Sequence, residues 1–153
     1  MSIDKVFFIF EIIGTVAFAI TGVITAIEKK LDIFGAVVLG TVTAVGGGMV
    51  RDILLGYLPP AAFRHPVYTV TAIATSLAVF IIAYFFGKRI KLHFNVYSQI
   101  INVFDAIGLA VFTVAGINSA AACGFGENSF LSIFVGMMTG VGGGVMRDMM
   151  AGG

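Results

Sequence analysis

Gly40-Thr41-Val42-Thr43-Ala44-Val45-Gly46-Gly47-Gly48-Met49-Val50-Arg51-Asp52 is answered later in the chain by Gly136-Met137-Met138-Thr139-Gly140-Val141-Gly142-Gly143-Gly144-Val145-Met146-Arg147-Asp148. A glycine triplet followed at fixed spacing by Arg-Asp does not arise twice by chance in a chain of 153 residues. The match extends outward: Gly56 falls opposite Gly152, and Phe10-Glu11, Gly14, Phe18, Gly22 and Ala26 fall opposite Phe104-Asp105, Gly108, Phe112, Gly116 and Ala120. The chain therefore contains an internal duplication, and the question is what kind of unit is duplicated.

Composition answers the first half of that question. With 59% hydrophobic and 11% charged residues and a mean hydropathy of +1.06, the chain carries more apolar surface than a soluble domain of this size can bury, so its solvent is lipid. A formal net charge of +1 supplies no concentrated basic face, which excludes nucleic acid as a partner. The lone Cys123 has neither a disulfide partner nor neighbours at zinc-ligand spacing and is read as a small buried or loop residue.

A hydrocarbon layer of about 30 Å takes roughly 20 apolar residues of helix. Five stretches qualify: Val6–Ile27, Ile33–Leu58, Val67–Phe86, Gln99–Ala120 and Ser129–Ala151. Ala17-Phe18-Ala19 mimics a signal-peptide cleavage site, but the apolar run continues past it, so the first stretch is read as a span. Lys29, Lys30, Lys88, Arg89 and Lys91 fall on one side of the membrane and Lys5 and Arg64 on the other. The excess of basic residues marks the inner side, which predicts an N-terminus outside.

Spans one and two correspond to spans four and five, with the third between them, so the second unit lies upside down relative to the first. The fold expected is an all-α membrane protein made of an inverted repeat of three-helix units. Residues 1–98 form the first unit, and residues 99–153 form the second. The second unit has two of its three helices here, which is read as truncation of a longer chain.

Three adjacent glycines cost a helix roughly 1 kcal/mol each relative to alanine. They predict that the second and fifth spans are broken at Gly46, Gly47, Gly48 and at Gly142, Gly143, Gly144, with the freed backbone facing protein or a wet cavity. Carbonyls there would suit cations, and half-helix N-termini would suit carboxylates. The competing reading is close helix packing, because Gly40, Ala44, Gly48 and Gly136, Gly140, Gly144 have the small-xxx-small spacing of helix crossings.

Six ionisable residues fall inside spans: Glu11, Arg51, Asp52, Asp105, Arg147 and Asp148. Each costs about 2.5–3.5 kcal/mol in hydrocarbon, so they face the bundle interior and find partners. Pairs such as Arg51 with Asp105 or Asp148, and Arg147 with Glu11 or Asp52, would glue the two units together or take part in conduction. Glu11, near the end of its span, has headgroup water as an alternative partner. Thr43 and Thr139 precede the triplets by one turn and either add hydroxyl ligands to a route or bond their own backbone. His65 and His93 fall in loops and are read as solvated. No nucleotide loop, metal-spaced cluster or nucleophile–base pair is present in the sequence, so no enzyme and no cofactor are expected.

At the two Gly-Gly-Gly-x-x-Arg-Asp segments the chain resembles the prokaryotic relatives of trimeric intracellular cation (TRIC) channels, a group also called the bacterial glycine transporter domain family. The resemblance covers essentially the whole chain. It implies seven helices in two inverted three-helix units plus a final helix, an N-terminus outside, residence in the prokaryotic inner (plasma) membrane, and a homotrimer with one pore per subunit. It further implies potassium as the principal ion and a pore shaped by the two glycine-rich segments beside Arg51, Asp52, Arg147 and Asp148; sodium is a second permeant ion to test. Three functions are in contention: a monovalent-cation channel, a carrier for a small zwitterion such as glycine, and a membrane scaffold that passes nothing.

Overall fold

A computed structural model describes the backbone of residues 3–87 and 94–152, and the side chains of residues 5–85 and 98–152. Lys88, Arg89, Lys91 and His93, on which part of the charge count and one histidine reading rest, lie outside the described residues.

Helix α1 spans Ile3–Glu28, α2 Ile33–Leu54, the short α3 Ala61–Arg64, α4 Pro66–Gly87, α5 Phe94–Ala120 and α6 Ser129–Met150. All but α3 are long and apolar enough to cross a membrane, which makes five such helices among the described residues. The 22-residue helices α2 and α6 reach about 33 Å at 1.5 Å per residue. A five-residue wide turn, Ala121–Phe125, with Gly124 at φ 87°, links α5 towards α6.

The ends of α2 and α6 repeat the same local chemistry. Asp32 accepts from the Gly35 amide at 2.8 Å, and Asn128 accepts from the Leu131 amide at 3.1 Å, so each helix starts on a side-chain cap. Each stops at a glycine with φ +70°, Gly56 and Gly152. At the first of these the Tyr57 amide bonds Asp52 O and the Gly56 amide bonds Ile53 O, a Schellman closure that only a residue without Cβ adopts freely. The second span therefore ends at Leu54 and not at Leu58. Arg51, Asp52, Arg147 and Asp148 consequently sit in last turns, near the membrane boundary.

Both glycine triplets continue as unbroken helix, which corrects the expected breaks. The physical reason lies in the helix crossing. A Cβ built on Gly47 would run into Thr139 O, and one built on Gly143 would run into Thr43 O, so α2 and α6 touch backbone to backbone there. Unwinding would forfeit this contact and leave amides and carbonyls unpaired in a medium without water. The glycines are spent on proximity.

The contacts also exhibit the two-fold relation between the units. Gly14 of α1 packs on Phe112 of α5, its counterpart Gly108 packs on Phe18, and the rings of Phe18 and Phe112 stack at a centroid distance of 5.4 Å. Gly14 meets the copy of Phe18 and the copy of Gly14 meets Phe18, the reciprocal pairing that a two-fold axis produces. Contacting positions rise along one helix as they fall along the other, so the copies run antiparallel: the repeat is inverted. Helix α4 packs on α1 and α2.

The core follows the logic of lipid. Ala17, Ala19, Ala26, Ala36, Ala44 and Ala72 are buried, whereas Phe34, Phe85 and Phe130 point outward. Small residues let helices approach, and large ones cost nothing where the surroundings are hydrocarbon.

Candidate functional site

Two charged clusters, one per unit, flank the crossing of α2 and α6. In the first, Arg51 Nε donates to Asp52 Oδ1 at 2.8 Å and Nη1 donates to Glu11 Oε1 at 3.3 Å. In the second, Arg147 Nε donates to Asp148 Oδ1 at 2.8 Å, and Nη1 donates to both oxygens of Asp105, at 2.7 and 2.8 Å. Each guanidinium is buried and answers two carboxylates, an arrangement suited to a planar fork of donors. All six ionisable residues expected to find partners do so. The partners differ from those expected: Arg51–Glu11 joins α1 to α2, Arg147–Asp105 joins α5 to α6, the other two pairs link neighbours in one helix, and among the described residues none of the four bridges the units. The reason is the inversion, which places the ends of α2 and α6 at opposite membrane faces. Glu11 is held by this cluster, with its side chain 21% exposed, instead of reaching into headgroup water.

The first cluster has two further members that no sequence motif flagged. The Tyr68 hydroxyl, from α4, donates to Glu11 Oε2 at 2.6 Å. The Ala61 amide, at the start of α3, donates to Asp52 Oδ2 at 2.6 Å. Asp52 is accordingly only 5% exposed in its side chain, while Asp148 is 62% exposed. Tyr68 was invisible to the repeat comparison because the third span has no counterpart in the sequence; a polar ring one residue into an apolar span was the available signal.

Two cavities adjoin this cluster. One, of about 30 Å³, is bordered by Glu11, Ala44, Gly48, Tyr68 and Phe112. The other, of about 250 Å³, is bordered by Tyr57, Ser119 and the exposed Cys123. Arg51, Asp52 and Ala61 border both.

The remaining sequence-nominated residues sort by what they touch. Thr43 and Thr139 are buried and donate to Leu39 O and Val135 O, each at 2.6 Å, so they bond their own helices. Gly46 faces Met146, and Gly142 lies against the Gly47 α-carbon. Gly48 and Gly144 differ from these four: the nearest atom to a Cβ built there is Nη2 of Arg51 or Arg147, at 3.9 Å in each case. Cys123 sits in the wide turn, the loop alternative of its two readings, and His65 is exposed. Among the described residues no group of three or more histidine, cysteine or acidic side chains is placed to hold a metal ion.

Five membrane-crossing helices in an inverted repeat, with repeat-related charge clusters at the two ends of a central crossing, define the architectural class of polytopic channels and transporters. Comparison with known proteins narrows this. The chain belongs to the prokaryotic TRIC channel family, described as Glycine transporter by the family model that matches residues 8–84 and 102–153. It is 35% identical to a solved prokaryotic TRIC channel crystallised in 0.5 M KCl, with a TM-score of 0.85 over 97% of this chain and 72% of that one. It is 31% identical to the TRIC orthologue from Rhodobacter sphaeroides, with a TM-score of 0.84 over 97% and 71%. Among curated proteins it is 40% identical over 141 residues to a UPF0126 membrane protein of Deinococcus radiodurans, covering 92% of this chain and 61% of that one. It is 38% identical to the UPF0126 inner membrane protein YadS of Escherichia coli K12, covering 92% and 64%. The chain thus spans about three fifths of the length of these curated relatives. The solved relatives are named as cation channels and the curated ones as membrane proteins.

Proposed function

We propose that the protein is a monovalent-cation channel that conducts potassium through each subunit of a homotrimer in a prokaryotic inner membrane, with its N-terminus outside. One observation carries this reading. Each cluster sets one guanidinium against two carboxylates, so with all groups ionised both ends of the central crossing carry net negative charge. Such ends concentrate cations and repel anions. The route runs from Glu11, Arg51 and Asp52 at one face to Asp105, Arg147 and Asp148 at the other. Gly48 and Gly144 present open backbone to it, while Gly46, Gly47, Gly142 and Gly143, with Thr43 and Thr139, hold the crossing rigid. The solved relatives named as trimeric cation channels support both the ion class and the trimer.

The family's other description favours a second reading, a carrier of glycine, whose carboxylate and ammonium would match guanidinium and carboxylate partners. One reconstituted preparation separates the two. Planar bilayers containing the purified protein are expected to pass potassium at channel rates, and Asp105→Asn is expected to lower potassium-over-chloride selectivity several-fold. Saturable uptake of labelled glycine into proteoliposomes, with electrically silent bilayers, would replace the channel reading by the carrier.

A further inference from the structure

The two clusters are copies in sequence but not in bonding. Asp105 gives both oxygens to Arg147, whereas Glu11 gives one to Arg51, at 3.3 Å, and the other to Tyr68, at 2.6 Å. The Arg51–Glu11 contact is the longest ion-pair contact of either cluster, and Tyr68 fixes the carboxylate that makes it. Tyr68 is itself held against α1, its ring 5.9 Å from that of Phe8.

The position of these groups gives the asymmetry its meaning. Arg51, Asp52 and the Ala61 amide stand between the cavity of about 250 Å³ and the cavity of about 30 Å³ beside Gly48. The smaller space holds only a water or so. Arg51 Nε and the Ala61 amide engage the two oxygens of Asp52, and Arg51 Nη1 reaches across to Glu11, so the guanidinium closes the wall from α2 to α1. We propose that Tyr68 is a positioning residue that latches this wall shut by holding Glu11 in reach of Arg51, an inference that rests on the channel reading above. Displacing α4 from α1 withdraws the hydroxyl, lets Glu11 turn away and frees the guanidinium to swing, joining the two cavities. The second cluster has no such third party among the described residues.

Thiol accessibility tests the latch directly. Gly48→Cys places a thiol at the smaller cavity, where its Cβ meets no atom nearer than Arg51 Nη2 at 3.9 Å, and Cys123→Ser removes the native thiol from the larger one. With Tyr68 intact, a water-soluble methanethiosulfonate applied to proteoliposomes should label Gly48→Cys slowly. Tyr68→Phe, which keeps the ring and loses only the hydroxyl, should raise the rate about tenfold, as should Glu11→Gln, which removes the charge that holds Arg51. Putting 4-aminophenylalanine at position 68 restores a donor in the same place and should restore slow labelling, which a mere packing role for the ring would not produce. In the native background, Cys123 should label at one rate whatever stands at position 68. The latch is overturned if Gly48→Cys labels equally fast in all these backgrounds, or as fast as Cys123 with Tyr68 present. The same vesicles are assayed for potassium flux. Flux with unchanged labelling removes the latch and keeps the channel, whereas faster labelling in Tyr68→Phe without flux in any preparation removes the channel and keeps the latch.

Discussion

Asp52 and Asp148 occupy the same place in the two copies, yet their surroundings differ by a single added backbone segment. The loop after α2 brings the Ala61 amide onto Asp52 and buries it, while Asp148 keeps most of its side chain in the open. Asp52→Asn leaves the buried Arg51 short of a charge and should cost about 3–5 kcal/mol. Asp148→Asn weakens a largely solvated pair and should cost under about 1 kcal/mol. Thermal unfolding of the two variants in the same detergent checks the contrast, and equal losses would refute it. The sequence could nominate all six ionisable residues, since a charge inside an apolar span is costly enough to demand a partner. It could not say which partner, because that depends on which helix ends share a membrane face.

At the scale of the helix, the glycine triplets divide into two functions. Gly47 and Gly143 lie where the backbones of α2 and α6 touch, whereas a Cβ on Gly48 or Gly144 would meet nothing closer than an arginine Nη2 at 3.9 Å. Gly47→Ala and Gly143→Ala force a methyl group against a carbonyl oxygen of the facing helix and should each cost about 1–3 kcal/mol. Gly48→Ala and Gly144→Ala meet no such wall and should be neutral or gain up to about 1 kcal/mol from helix propensity. Denaturant titration of the four variants distinguishes this from a broken-helix triplet, in which all three positions would resist substitution alike. The expected break went wrong for an identifiable reason. Propensity prices glycine against alanine in an isolated helix, and a membrane crossing reverses the comparison, because only glycine permits the contact that holds the helices together. The glycines that do end helices are Gly56 and Gly152, whose left-handed φ closes α2 and α6.

At the scale of the whole molecule, α4 ties the first cluster to a third helix. It supplies Tyr68 to the first cluster, and nothing in the described residues plays that part for the second. Orientation is the other property that belongs to the molecule as a unit. The Lys29-Lys30 turn should face the cytoplasm and the segment around Arg64 the outside. Single cysteines placed at Lys30 and at Phe63 in a Cys123→Ser background, probed in intact cells with a membrane-impermeant thiol reagent, should label only at position 63; the opposite pattern would invert the proposed topology.

The sequence by itself determined that this chain lives in lipid, that it crosses five times and that its halves are inverted copies. Hydropathy, span length and the odd number of crossings between the repeated segments are local or arithmetical properties, and no packing arrangement can change them. Only the tertiary structure decided what the repeated residues do for one another. Whether a glycine opens a helix or lets two helices touch, which carboxylate holds each arginine, and that a tyrosine outside the duplication completes one of the clusters all depend on distances between helices far apart in the chain. Those distances are set by the crossing of α2 with α6 and by the seat of α4, and no single stretch of sequence contains them.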